Sequence, residues 1–372
     1  MPELTSAEYW EGPGIDIRLN PKRNYDVSGL EDLVRDEMGI DSAVVLATSG
    51  SEGRAKFVVL KKEALLASAR GVNAHCGLTI SDTWLGGLST FHVGGLGIYA
   101  RAFLSGADVI PMPWDEWEKD GSWLVEMCFS NWIRVTSLTP VHLHDLVTHG
   151  VRCPDSLRGV FIGGGTLLPH TAIRAIALGW PIWTTYGMTE SCSQVATATS
   201  EEFDWLPVLD PWQVRKDGDG QLMLKGDALF SGYVVKDTDT NWKVVQPFDD
   251  EGWFTSGDLC QLKGDSIKFS GRSDDLVKVS GELISVSRLE NELGLEIELL
   301  GGSGVVIAFS HERRENELVA FVGGGEKVFS AARKYSSSLP AIEQFSSIVN
   351  MDALPRTEVG KIDRAALRKQ RA

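Results

Sequence analysis

Thr48-Ser49-Gly50-Ser51-Glu52-Gly53-Arg54-Ala55-Lys56 lies between two short apolar runs, 43–47 and 57–60. A polar, glycine-containing turn between strand-like runs is suited to holding phosphate. Glycines let the backbone approach a ligand, successive amides point at oxyanions, and hydroxyls and a lysine add donors and charge. The stretch is not a Walker loop, because Gly-x-x-x-x-Gly-Lys-Ser/Thr cannot be laid onto it. Taken alone it also reads as a surface hairpin rich in turn formers, so its meaning depends on what surrounds it.

Outward from this loop, short apolar runs alternate with helical ones as far as residue 199. Strands are expected at 43–47, 84–88, 108–111, 134–138, 159–162 and 181–184, and helices at 61–76, 95–104, 141–148 and 169–178. Such alternation implies βαβ units around a largely parallel sheet, with ligands held in loops at the carboxyl ends of the strands. The loop 48–56, Gly163-Gly164-Gly165 and the stretch from Tyr186 to Glu190 fall at such ends. Upstream, residues 1–42 are turn-rich with one helix expected at 29–37. From 201 to 270 the texture changes to short strands with tight turns, such as Asp217-Gly218-Asp219-Gly220, and reads as a β-rich subdomain. A polar break at 271–275 precedes a last unit of about a hundred residues, the size of a separate small domain. The expected fold is therefore α/β. A large domain, 1–270, has parallel-type sheets and the β-rich part at 201–270, and a small α+β domain occupies 271–372.

Composition narrows the function. The chain has 372 residues, enough for two or three domains, and a net charge of −15 with no long basic stripe, which argues against nucleic acid as partner. It does not argue against a polyanion, since a local cluster of amides, lysine and Mg²⁺ can invert the field at one site. Five scattered cysteines without a Cys-x-x-Cys pair fit reduced thiols. No signal peptide or membrane-spanning run is read, so a soluble, cytoplasmic protein is expected. His75, His142, His144, His149, His170 and His311 lack metal-ligand spacing and read as structural or exposed, and Trp114 and Trp117 as surface packing.

Four further stretches follow the loop in order. They are Tyr186-Gly187-Met188-Thr189-Glu190, Phe254-Thr255-Ser256-Gly257-Asp258, Gly271-Arg272-Ser273-Asp274-Asp275, and Leu354-Pro355-Arg356-Thr357-Glu358-Val359-Gly360-Lys361. Each has a bland reading as a turn, an exposed acidic pair or a solvated lysine. Together, in order and spacing, they resemble the signature of the adenylate-forming enzymes: acyl-CoA synthetases, peptide-synthetase adenylation domains and luciferases. The resemblance implies that Thr48, Ser49, Gly50, Ser51, Gly53 and Lys56 hold the phosphates of ATP. It also implies that Tyr186 and Gly187 meet adenine, that Thr189 and Glu190 hold Mg²⁺, and that Asp258 and Arg272 hold ribose. Asp274 is then the hinge between domains, and Lys361 the lysine that bridges carboxylate and α-phosphate as two anions are joined. Gly163, Gly164 and Gly165 resemble the family's glycine loop against adenine and the acyl group. Phe91-His92 resembles an aromatic-His gate at the acyl pocket, which gives His92 both a catalytic and a substrate-binding place. Lys278, Gly281 and Glu282 match a loop that lines the coenzyme A channel.

Within that family, residues 88–97, 137–140, 162–169 and especially Tyr186-Gly-Met-Thr-Glu-Ser-Cys-Ser-Gln194 are most similar to o-succinylbenzoate–CoA ligases of menaquinone biosynthesis. The implied substrate carries a second carboxylate, and Ser191, Ser193 and Thr90 are its expected anchors. ATP, Mg²⁺ and coenzyme A are the implied cofactors and co-substrate. Other acids, transfer to a carrier-protein thiol, and a non-catalytic nucleotide-binding paralogue are the competing readings. Three departures stand out. Only 47 residues precede Thr48, so an uncovered edge or apolar face is expected, with self-association as one way to cover it. Glu52 replaces the loop threonine and is expected to repel a triphosphate, and Ala55 replaces the loop proline.

Overall fold

The computed structural model describes residues 3–49, 55–112, 117, 120–199, 203–236, 242–356 and 362–370. The chain divides into two compact units, one of residues 1–164, 175–256 and 262–268, the other of 165–174, 257–261 and 269–372.

In the first unit, Val109–Pro111, Trp84–Gly86, Val135–Leu138, Gly159–Ile162, Ile182–Tyr186 and Ala196–Ala198 form a six-stranded sheet in that order. The first five strands are parallel and the last is antiparallel. Helices Val93–Ser105, Ser122–Asn131, Pro140–Thr148 and Pro169–Ala177 make the crossovers that parallel pairing demands, although residues 169–174 of the last are assigned to the second unit. All were expected from the alternation except Ser122–Asn131. Trp84, Leu85, Val135, Val160 and Phe161 are buried along the strands, as in a sheet covered on both faces.

The runs that flank the opening loop do not belong to that sheet, and here the βαβ reading is corrected. Ser42–Ser49 and Ala55–Lys61 pair antiparallel as a hairpin, because a short connection cannot make the crossover of a dozen or more residues that parallel strands need. They form the centre of a second sheet, ordered Gly14–Arg18, Ser42–Ser49, Ala55–Lys61, Gly232–Lys236, Trp242–Val245. Gly14–Arg18 lies parallel beside Ser42–Ser49 and covers that edge, while Leu30 and Val34 of helix Leu30–Asp36 pack with Val45, Phe57, Val59 and Val234 on one face. The β-rich stretch is accordingly shared. Its strands Gly232–Lys236 and Trp242–Val245 join this sheet, while Leu206–Pro207, Ser266–Arg272, Phe254–Lys263, Gln221–Lys225 and Gln213–Lys216 build another.

The second unit contains the hairpin Leu276–Val279/Glu282–Ser285, helix Val286–Glu298, the antiparallel pair Ser303–His311/Glu315–Gly323 with Ser347–Met351 parallel beside Glu315–Gly323, and helices Glu326–Ser338 and Arg364–Lys369. Two-residue alternation sorts its strands between two cores. Val306, Leu318, Ala320 and Val322 pack with Leu289, Leu293 and Ile297. Val305, Ile307, Val319 and Phe321 pack with Leu354 and Leu367. Among the described residues no helix is long and apolar enough to cross a membrane.

Candidate active site

The candidate residues divide between the two units. In the first, hairpin register sets Thr48 opposite Lys56, and the Thr48 hydroxyl donates to the Lys56 carbonyl at 3.4 Å. Gly50, Ser51 and Gly53, with Glu52 and Arg54, lie outside the described residues, and of the Ser49 side chain nothing is described. Lys56 is exposed, with Nζ 5.5 Å from the ring centroid of Tyr233.

Tyr186 ends a strand of the six-stranded sheet, and the chain then turns tightly through Gly187 to a short 3₁₀ turn, Thr189–Ser191. A Cβ on Gly187 would stand 1.7 Å from the Ser193 carbonyl oxygen, so no other residue closes this turn. Cys192 and Ser193 follow at φ 49° and 107°, a left-handed pair that is costly away from a constrained site. Glu190, within this turn, is half-buried. Its carbonyl accepts from the Phe230 amide at 2.9 Å and its Oε1 from the Tyr233 hydroxyl at 2.9 Å. One carboxylate and the neighbouring Thr189 hydroxyl are hard oxygen donors, too few to enclose a cation. Among the described residues no cluster of three His, Cys, Asp or Glu offers such a cage. That donor set fits Mg²⁺, which keeps most of its ligands from phosphate and water.

Ser191 is fully buried, and its hydroxyl is engaged by the Met188 amide, the Met188 carbonyl and the Ser193 carbonyl. These bonds hold the hydroxyl within its own loop. Ser193 instead accepts from Arg101 Nη2 at 2.9 Å. Arg101 is 1% exposed, lies over the rings of Trp84 and Phe161, and has no carboxylate partner among the described residues. Burial lowers its pKa to about 10, so it stays charged at neutral pH. Its Nε, the Trp84 Nε1 and the Ser137 Oγ are buried without hydrogen-bond partners. Arg101 was missed in sequence, although a single charge within the otherwise uncharged helix Val93–Ser105 was there to be read.

Thr90 accepts from Arg18 Nη1 at 3.1 Å. Arg18 also pairs with the buried Asp16, to which the Tyr9 hydroxyl donates at 2.6 Å. His92 caps the start of helix Val93–Ser105, is exposed, and packs its ring 4.8 Å from that of Phe91. Gly163 follows a parallel strand, its amide bonded to the Leu138 carbonyl, with Thr185 Oγ1 close against its Cα, and Gly164 is exposed beside it. Gly165 belongs to the second unit. Arg18 and Tyr233 carry no local sequence signal, because their partners are far along the chain.

In the second unit Asp258 is buried and accepts from Arg272 Nη1 at 2.6 Å, while Arg272 Nε donates to the exposed Asp274 at 2.8 Å. The two carboxylates hold the guanidinium pKa well above its ordinary value, the Asp274 hydrogen bond contributing most. Lys278, Gly281 and Glu282 lie on one hairpin whose turn, Ser280-Gly281, has φ 52° and 87°, the double left-handed geometry that matches strand twist and favours glycine. The Gly281 amide donates to Glu315 at 2.8 Å. Arg356 and Ile362 pair as an isolated bridge, and Lys361 lies outside the described residues. Trp117 stacks on His142 with centroids 4.2 Å apart, and Trp114 is outside the described residues.

Residues 24–234 match the profile of the AMP-binding enzyme family. The 2-succinylbenzoate–CoA ligase of Staphylococcus epidermidis is 25% identical over 375 aligned residues, covering 93% of this chain and 72% of the ligase. That of Bacillus cytotoxicus is 29% identical over 293, covering 74% and 59%. Other ligases of this name match similarly, and the chain spans 56 to 72% of the length of these relatives. In structure it is similar to the o-succinylbenzoate CoA synthetase of Bacillus subtilis in complex with its acyl-adenylate intermediate (TM-score 0.75, 22% identity, 97% of this chain and 79% of that one). It is also similar to a singly substituted form of the E. coli enzyme MenE with bound OSB-AMS (0.71, 22%, 88% and 68%). These likenesses establish the α/β fold of adenylate-forming enzymes.

Proposed function

Because the chain belongs to the AMP-binding enzyme family, we propose that it is an ATP-dependent acid–CoA ligase, cytoplasmic, acting on o-succinylbenzoate. Relatives along nine-tenths of its length bear the name of that activity. The observation that carries the reading is the approach of Lys56 and Glu190 to a single residue, Tyr233, one over its ring and the other on its hydroxyl. A phosphate-binding cation and a metal-holding carboxylate are what a nucleoside triphosphate needs at its β- and γ-phosphates.

In the first half-reaction a substrate carboxylate attacks the α-phosphate, forming the acyl-adenylate and releasing pyrophosphate. Thr48, Ser49, Gly50, Ser51, Gly53 and Lys56 hold the phosphates, and Lys361 bridges the two anions as they join. Glu190 and Thr189 hold Mg²⁺, which neutralises phosphate charge when bound. Tyr186, Gly187 and the 163–165 glycines face the adenine, while Asp258 and Arg272 meet the ribose. Their mutual hydrogen bond holds both side chains in place before nucleotide binds. In the second half-reaction the CoA thiol attacks the mixed anhydride and AMP leaves. Asp274 is the hinge, and Lys278, Gly281 and Glu282 line the thiol's approach. His92 gates the acyl pocket, with Thr90, Ser193 and the buried Arg101 recognising the second carboxylate.

Mass spectrometry of thioesters formed from MgATP, CoA and a panel of o-succinylbenzoate, benzoate and octanoate tests this. An o-succinylbenzoyl-CoA product lost in Lys361→Ala is expected. Products from the other acids alone overturn the substrate, and no thioester from any acid, with ATP bound, overturns the ligase.

A further inference from the structure

Tyr233 belongs to none of the stretches that define the family signature above, yet it touches both charged ends of the phosphate site. Strand register explains how. Tyr233 pairs directly with Val58, and Lys56, two residues before Val58, is its diagonal neighbour on the same face of the sheet. Phe57 and Val234 turn to the opposite face and into the core. The lysine therefore extends over the tyrosine ring, 5.5 Å from its centroid. The hydroxyl at the far end of the same ring donates to Glu190 Oε1 at 2.9 Å.

The ring itself is fixed. It packs edge-on against Phe230 at 4.8 Å, and Phe230 in turn meets Phe248 and Phe254 at 5.4 and 5.0 Å. Phe230 also donates its amide to the Glu190 carbonyl at 2.9 Å. Glu190 is thus held twice, by its backbone through Phe230 and by its carboxylate through Tyr233. Neither Lys56 nor Glu190 forms an ion pair with a described residue. A direct Lys–Glu pair would neutralise both groups and would have to break before phosphate and metal could bind. An aromatic ring between them satisfies the cation through its face and the carboxylate through its hydroxyl, and leaves both charges available.

We propose that Tyr233 is a positioning residue of the phosphate site, orienting Glu190 toward the metal and seating Lys56 for the β- and γ-phosphates. The proposal rests on the nucleotide-binding part of the function proposed above. One oxygen of Glu190 is committed to the tyrosine, which turns the other toward the cation. Partners that orient a metal-holding carboxylate typically contribute about 10- to 100-fold to metal affinity.

Isothermal titration calorimetry of ATP with Mg²⁺, ATP with EDTA, and AMP separates this role from a structural one. Wild-type protein is compared with Tyr233→Phe, which loses only the hydroxyl, and Tyr233→Leu, which also loses the ring. The phenylalanine variant should weaken MgATP binding about tenfold and leave metal-free ATP and AMP unchanged. The leucine variant should weaken metal-free ATP as well, with AMP again unchanged, because AMP lacks the phosphates that Lys56 serves. In a Glu190→Gln background, Tyr233→Phe should cause no further loss of MgATP affinity. Full retention of the Mg²⁺-dependent gain by Tyr233→Phe, equal weakening of AMP, or additive losses with Glu190→Gln would each overturn the inference alone. Wild-type protein whose ATP affinity does not respond to Mg²⁺ overturns the functional reading and this inference with it.

Discussion

Replacing Arg101 with methionine separates two roles that a buried cation can have. The guanidinium donates to Ser193 Oγ at 2.9 Å and lies 5.8 and 5.2 Å from the ring centroids of Trp84 and Phe161, with no carboxylate partner among the described residues. Its pKa, drawn by burial from 12.5 to about 10, corresponds to a desolvation penalty on the order of 3 kcal/mol. Methionine has a similar length and no charge, so it removes that penalty. It also removes the Ser193 bond, worth about 1.5–3 kcal/mol for a charged donor, and the ring contacts, about 1 kcal/mol. The opposing effects nearly cancel, and a change in stability below about 1 kcal/mol is expected, as for other buried charges exchanged for apolar side chains. Substrate binding should suffer far more. Loss of a desolvated pair between guanidinium and carboxylate costs roughly 2–3 kcal/mol or more, a rise of about 30- to 150-fold in KM for o-succinylbenzoate. Urea denaturation reads the first quantity, and pyrophosphate release against o-succinylbenzoate and benzoate the second. Benzoate, with one carboxylate, should show no such rise. A variant that loses more than about 3 kcal/mol of stability while KM for o-succinylbenzoate stays the same would refute the reasoning and make Arg101 a structural residue.

Three further outcomes follow from the geometry. Gly187→Ala forces a methyl group onto the Ser193 carbonyl at 1.7 Å, so urea midpoints should show a loss of about 1–3 kcal/mol. Gly94→Ala, whose new Cβ would meet only Leu88 Cδ1 at 3.6 Å inside a helix, should gain up to about 1 kcal/mol, and a gain for Gly187→Ala would refute the close approach. His142 is held neutral, its Nδ1 accepting from the Thr139 amide and its ring stacked on Trp117, and burial lowers its pKa to about 4. A base whose folded pKa lies below its unfolded value of about 6.5 contributes stability that is complete above that value. That stability is lost progressively as pH falls from there toward 4. Denaturation midpoints should therefore fall across this window in wild type and less steeply in His142→Gln, and an NMR titration of His142 centred at or above about 6.5 would contradict it.

Much of the site is local, and local chemistry is legible in a chain. The hairpin residues Thr48 and Lys56, the turn from Tyr186 to Glu190 and the Ser280-Gly281 turn each follow from neighbours a few positions away. Periodicity placed most helices and the parallel strands, because a two- or 3.6-residue repeat is written wherever one face is buried. The same signal misplaced residues 43–47 into the parallel sheet. An apolar run records that both faces are covered, not which strand lies beside it.

What the sequence alone determined was therefore the class of fold, the order of its elements and the residues that bear chemical groups. Partners distant along the chain were decided only by the tertiary structure. Tyr233 reaches Glu190 across 43 residues, Arg18 reaches Thr90 across 72, and Arg101 reaches Ser193 across 92. The burial of Ser191, whose hydroxyl bonds to the Met188 amide and to the Met188 and Ser193 carbonyls, was decided there too. The physical reason is the same in each case. Sheet register and helix packing bring such groups together through the burial of apolar residues elsewhere, so the polar partners carry no mark of one another in the chain.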